Sequence, residues 1–403
     1  MQALRQTGIL GRPEVAIHGT CDPNFNEVRE EFERNFSERG DVGASVCIVV
    51  EGKPVVNLWG GMADPETGKP WDEDTLTVIM SVTKGATATC AHMLIDRGLL
   101  DLDAPVAEYW PEFGKHGKEA ITVRMLLNHQ AGLPAIRKPV PYGKFLDWEW
   151  VIAALEDERP FWEPGTRAGY HALTFGFLVG ELIRRVSGKS LGAFFRDEIA
   201  GPLGLDFWIG LPESEHHRVA PLRMNPEDPM IELLESDPDP QSNYRLAFAN
   251  NGGYLGADGW NDPAAYAAEF GAAGALANAR AVAGLYAPLS LDGSIGGVRL
   301  VEPATLRLMS ETTSAVGLDA TVGIPMGRYS LGFDKDASDA GLGERAFGHV
   351  GWGGSNGFAD PHARLAFGYI TNQMHTTDRW EALAKAAYRA LSYREDKYGF
   401  FTR

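Results

Sequence analysis

Apolar positions switch between two periods along this chain of 403 residues. Phe25, Val28, Phe32 and Phe36 recur at helical spacing, which predicts an amphipathic helix over about 23–39, ended by Gly40. Two β-rich apolar runs follow, 44–50 and 54–59, and they flank Glu51-Gly52-Lys53 in the pattern of a hairpin. The helical period returns over 84–97, with Gly98 as its stop, and from Thr174 to Val186, with Gly188 as its stop. Strand patterns reappear at 329–333, 346–350 and 365–370, and a last helix is expected over about 377–393. Strands at both ends with helices between them predict one sheet built from both termini, an α/β or α+β layer fold. Residues 1–104 and 291–403 would form the α/β domain, and 105–290, rich in Pro, Gly and Trp, a helical insertion.

Composition narrows the function classes. Hydrophobic residues make up 44% and charged residues 23%, which excludes a disordered or fibrous chain. A net charge of −17 repels phosphate backbones and anionic lipid, so neither nucleic acid nor a membrane is expected as a partner. Cys21, Cys47 and Cys90 are too few and too scattered for a disulfide framework. The first ten residues lack the apolar core of a signal peptide, and no apolar run approaches the ~20 residues of a membrane helix. A cytoplasmic protein is expected. His216-His217 has no ordered metal spacing, and no glycine-rich phosphate loop occurs, so no metal and no cofactor are expected.

Four segments carry candidate chemistry. Ser81-Val82-Thr83-Lys84 opens a predicted helix, which places an amine and a hydroxyl three residues apart on one face. A nucleophilic serine needs such a base beside it, and a helix start favours a developing oxyanion. Gly353-Gly354-Ser355-Asn356-Gly357 matches the nucleophile elbow Gly-x-Ser-x-Gly. Too little chain follows Ser355 to supply the acid and histidine of that mechanism, and 357–370 reads as a hairpin, so the match is read as a glycine-rich turn. Tyr170 and His171 precede the helix at Thr174 and are capable of acid–base work. Gly348-His349-Val350-Gly351-Trp352 ends a predicted strand, where glycine lets backbone approach a substrate and an N–H can complete an oxyanion hole.

Taken in order, Ser81-Val82-Thr83-Lys84, Ile121 to Leu133, Trp162-Glu163-Pro164-Gly165, Tyr170-His171-Ala172 and His349-Val350-Gly351 resemble the serine β-lactamase and penicillin-binding-protein superfamily. The chain is most similar there to family VIII carboxylesterases, over about 40–395. The resemblance implies a β-lactamase-like fold: an antiparallel sheet flanked by helices, plus a helical domain. It implies Ser81 as nucleophile, Lys84 and Tyr170 as its base unit, and the N–H groups of Ser81 and Trp352 as the oxyanion hole. His349, Gly351 and His171 are the further substrate-binding candidates. Two departures stand out. Ala172 replaces the asparagine of the family's Tyr-x-Asn, and His349 replaces the lysine of its Lys-Thr-Gly. In β-lactamases those side chains help hold the substrate's amide and carboxylate.

The expected activity is therefore hydrolysis of small carboxylic esters by a serine carboxylesterase through an acyl-enzyme on Ser81. Which of Lys84 and Tyr170 takes the proton stays open in the sequence. The alternatives are another acyl enzyme on the same scaffold (a β-lactamase, D-amino-acid peptidase, amide hydrolase or acyltransferase), an α/β-hydrolase using Ser355, and a non-catalytic binding module. Trp148, Trp150, Trp162 and Trp208 are candidates for an acyl pocket, although such aromatics more often fill cores.

Overall fold

The computed structural model describes residues 15–225, 227–254, 256–314, 317–375 and 378–403. The N-terminal segment and the first residue expected in the last helix lie outside these.

Residues of both polarity patterns meet in one antiparallel sheet. Its main strands are β1 (Ile17–Cys21), β2 (Gly43–Val50), β3 (Lys53–Asp64), β4 (Phe347–Val350), β5 (Asn356–Asp360) and β6 (Leu365–Thr371), in the spatial order β1-β3-β2-β6-β5-β4. The expected hairpin is β2–β3, turned by Glu51 and Gly52 at φ of 51° and 75°, as a tight turn between twisted strands requires. The two ends of the chain join where β2 pairs β6, from Ala44 opposite Thr371 to Val50 opposite Leu365.

Side chains alternate across each strand, so both faces of β2 are buried under different layers. Ala44, Val46 and Ile48 share a core with Phe32 and Phe36 of α1 (Asn26–Ser37) and Leu383 and Tyr388 of α5 (Arg379–Ala390). Cys47 and Val49 face the other way, into the larger core with α2 (Thr83–Asp96), α3 (Thr174–Ser187) and α4 (Ala279–Leu289). Helix α4, in the stretch expected as insertion, packs directly on β2, β5 and β6. Among the described residues no helix is long and apolar enough to cross a membrane.

The expected strand at 329–333 is not one. Tyr329 and Asp334 form a single bridge, and Ser330 to Phe333 turn tightly between them, with Gly332 at φ +89°. The Gly332 N–H bonds the Leu127 carbonyl at the end of a short helix instead of joining a ladder. An apolar run buried on a turn carries the same residue types as a buried strand, so periodicity does not separate them.

Candidate active site

Ser81 sits in a single 3-10 turn, Met80–Val82, immediately ahead of α2. As the second residue of that turn its N–H precedes the first intrahelical bond. Met80 takes φ of 48°, a left-handed conformation uncommon for a side chain of this size. The end of β4 presses on this turn. A Cβ at Gly351 would lie 2.5 Å from the Ile79 carbonyl oxygen, so a glycine is required there. The next residue, Trp352, lines the same cavity as Ser81.

Lys84 lies one helical turn on and is fully buried. Its Nζ is 3.0 Å from Ser81 Oγ, 2.7 Å from the Ala172 carbonyl and 2.9 Å from the Ala272 carbonyl. Burial holds this amine well below the ordinary lysine range, against a weaker opposing pull from Asp334. In the neutral form of this amine the two carbonyls, which can only accept, take both N–H bonds, and the lone pair faces the Ser81 hydroxyl.

The Tyr170 hydroxyl donates to Ser81 Oγ at 2.8 Å. Burial raises this phenol above its ordinary range, so it stays protonated. Its backbone N–H is received by both Asp319 carboxylate oxygens, at 2.9 and 3.1 Å, and its ring stacks on Tyr329 with centroids 6.2 Å apart. Ser81 Oγ therefore stands between the Lys84 amine and the Tyr170 hydroxyl. Ser81 and Tyr170 open on a cavity of about 440 Å³ whose lining includes Leu173, Met230, Phe248, Tyr254 and Trp260.

The β-lactamase family model matches residues 32–391. The chain belongs to the β-lactamase family. It is 35% identical over 373 residues, 89% of this chain and 83% of the relative, to the esterase/β-lactamase LipL of Mycobacterium tuberculosis. Its structure is similar to that of a family VIII carboxylesterase, with 41% identity, a TM-score of 0.85, and coverage of 93% of this chain and all of that one. A penicillin-binding-protein homologue from Caulobacter crescentus follows at 35% identity and a TM-score of 0.84, with 93% and 100% of the two chains covered. The chain is thus a β-lactamase-like serine hydrolase with esterase relatives, and the expected β-lactamase-like fold is the one observed.

In this β-lactamase-family site the expected residues divide. Gly351, Trp352 and His349 line the cavity. His171 does not, which corrects its expected place among the substrate-binding residues. It is fully buried, its Nε2 accepts the Leu133 N–H at 3.0 Å, and its Nδ1 donates to the Gly169 carbonyl at 2.7 Å. Both nitrogens are spent on holding the loop that carries Tyr170. Of the four expected tryptophans none lines this cavity; Trp260 and Trp352 do. Trp148 bonds Glu181, Trp162 the Arg167 carbonyl and Trp208 Asp206, each through its indole N–H.

Ser355 is a buried structural serine. Its carbonyl accepts the Gly351 N–H at 2.7 Å and its Oγ accepts the Thr371 N–H at 3.3 Å, at the start of the β5–β6 hairpin. No base stands beside it among the described residues, in keeping with its reading as a turn. Burial, with Lys84 nearby, pushes the His349 ring down to about 3, so it carries no charge at neutral pH. Asp319, Tyr329, Asp334 and Asp336 carry no local motif, and sequence reasoning missed all four. Asp336 opens a short helix, Asp336–Asp339, the other three lie outside helices and strands, and all four reach the site only through the fold.

Proposed function

We propose that the chain is a cytoplasmic serine carboxylesterase that hydrolyses small carboxylic esters through an acyl-enzyme on Ser81. The observation that carries this reading is the placement of Ser81 Oγ between Lys84 Nζ at 3.0 Å and the Tyr170 hydroxyl at 2.8 Å, on an apolar cavity. Ser81 passes its proton to the Lys84 lone pair as Oγ bonds the ester carbonyl carbon. The carbonyl oxygen becomes an oxyanion, held by the N–H groups of Ser81 and Trp352. The bond to the alcohol oxygen then breaks, and the proton returns through Tyr170 to the leaving alkoxide. Water adds to the acyl carbon, giving its proton to the same base, and the acid leaves as Ser81 Oγ is reprotonated. The cytoplasmic part of the proposal is supported by three unpaired thiols, two of them buried.

Fluorophosphonate labelling with peptide mapping tests the assignment. The label is expected on Ser81, lost in Ser81→Ala with a fall in ester turnover of about 10⁴-fold or more, and kept in Ser355→Ala. A label on a peptide containing Ser355 overturns it.

A further inference from the structure

Asp334, Asp336 and His349 meet in one part of the cavity lining, and neither Lys nor Arg lines the cavity among the described residues. Asp334 receives the Val350 N–H at 2.9 Å and His349 Nδ1 at 3.0 Å on one oxygen. His349 Nδ1 also faces the Val350 carbonyl at 2.8 Å. With two acceptors before it, Nδ1 carries the ring proton, so Nε2 is a bare lone pair. That Nε2 belongs to a side chain only 3% exposed and has no hydrogen-bond partner. The buried Tyr329 hydroxyl, on another residue of the lining, is also unpartnered.

The charge in this part is negative. Burial and neighbouring carboxylates raise Asp334 well above the usual carboxylate range. Burial, with Asp339 beside it, pushes Asp336 up to about 6, which leaves it ionised near neutral pH. Asp339 is paired with Arg328, and Lys335 turns away to bond the Ser310 and Glu344 carbonyls, so among the described residues no Lys or Arg pairs with Asp336. No cluster of three or more metal-ligating side chains occurs among the described residues, so a metal ion does not fit this part.

The acceptors lie on the Tyr170 side of Ser81. The Tyr170 ring is 6.1 Å from His349 and 6.2 Å from Tyr329. In the ester reading, on which this inference rests, Tyr170 hands its proton to the leaving alcohol. We propose that this part of the cavity binds a protonated amine on the alcohol half of the ester, so that amino-alcohol esters are preferred substrates. The acyl half occupies the apolar part lined by Leu173, Phe248, Tyr254 and Trp260. An ammonium N–H supplies the donor that His349 Nε2 lacks and the charge that Asp336 lacks.

The test compares kcat/KM near neutral pH for 2-(dimethylamino)ethyl butyrate and its neutral isostere 3-methylbutyl butyrate. The tertiary amine cannot take the acyl group onto nitrogen, and p-nitrophenyl butyrate serves as a reference ester without an amine. The amine ester is expected to be better by about tenfold or more, and Asp336→Asn to pull that ratio most of the way to unity. A wild-type ratio at or below one, or a ratio unchanged in Asp336→Asn, overturns the inference while p-nitrophenyl butyrate turnover leaves the esterase reading standing. Absence of turnover on all three esters with no label on Ser81 would bring down both.

Discussion

Asp319 holds the Tyr170 backbone N–H on both of its carboxylate oxygens, at 2.9 and 3.1 Å, across 149 residues of sequence. The same carboxylate receives the Thr321 and Val322 N–H groups. This loop therefore fixes where the Tyr170 hydroxyl meets Ser81. Asp319→Ala leaves three N–H groups without an acceptor, each costing about 1–3 kcal/mol where it stays buried. The expected outcome is a lower midpoint in urea denaturation and a fall in kcat larger than any rise in KM. Asp319→Asn, which keeps an acceptor oxygen, should recover part of both. Equal kcat in wild type and Asp319→Ala would show that Tyr170 is positioned without it.

Lys84 and Tyr170 converge on a single oxygen, Ser81 Oγ, so their removal should not be additive. Lys84→Ala and Tyr170→Phe are each expected to lower kcat by about 10²- to 10⁴-fold, the range for losing a general acid or base. The double variant should lose little more than the worse single one. Losses that multiply in the double variant would mean two independent roles.

The pH dependence belongs to Lys84. Its ammonium form has no lone pair for Ser81, and burial lowers its pKa well below 10.5. Ester kcat/KM should rise with pH through that lowered value and then level off, far short of the ordinary lysine range. His129 and His171 are buried and held below the ordinary histidine range, as is His349, so none of the three should add a step near neutrality. Stability carries the same signature. Between the lowered pKa and the unfolded value of about 10.4 the unfolded chain binds one more proton at this site, so stability rises with pH across that window. Lys84→Met should remove this slope from urea titrations. A rate still climbing at the ordinary lysine pKa would mean an unshifted amine.

β-Lactams should be poor substrates. Their carboxylate meets a cavity with no Lys or Arg among its described lining residues, a neutral His349, and the methyl of Ala172 in place of an amide. A site without partners for a charged group leaves that group desolvated and unpaired. Side-by-side kcat/KM for p-nitrophenyl butyrate and nitrocefin should favour the ester by about 10²-fold or more. A nitrocefin value equal to the ester value would turn the reading toward a β-lactamase.

Sequence alone determined whatever depends on neighbours along the chain. The spacing of Phe25, Val28, Phe32 and Phe36 sets a buried face of α1, and Glu51-Gly52 supplies the positive φ of the β2–β3 turn. Ser81 and Lys84 share a helical face because three residues make nearly one turn. The ordered motifs pointed to Tyr170 and Trp352 through family resemblance, without showing how far either stands from Ser81. Tertiary structure decided the rest. The lowered basicity of Lys84 comes from burial and from the carbonyls of Ala172 and Ala272, 88 and 188 residues away. Packing spent both nitrogens of His171 on backbone, folded 329–333 into a turn, and gathered Asp334, Asp336 and His349 in one part of the cavity lining. Desolvation and through-space contact depend on which distant segments fill the surrounding volume, and periodicity along the chain carries no record of that.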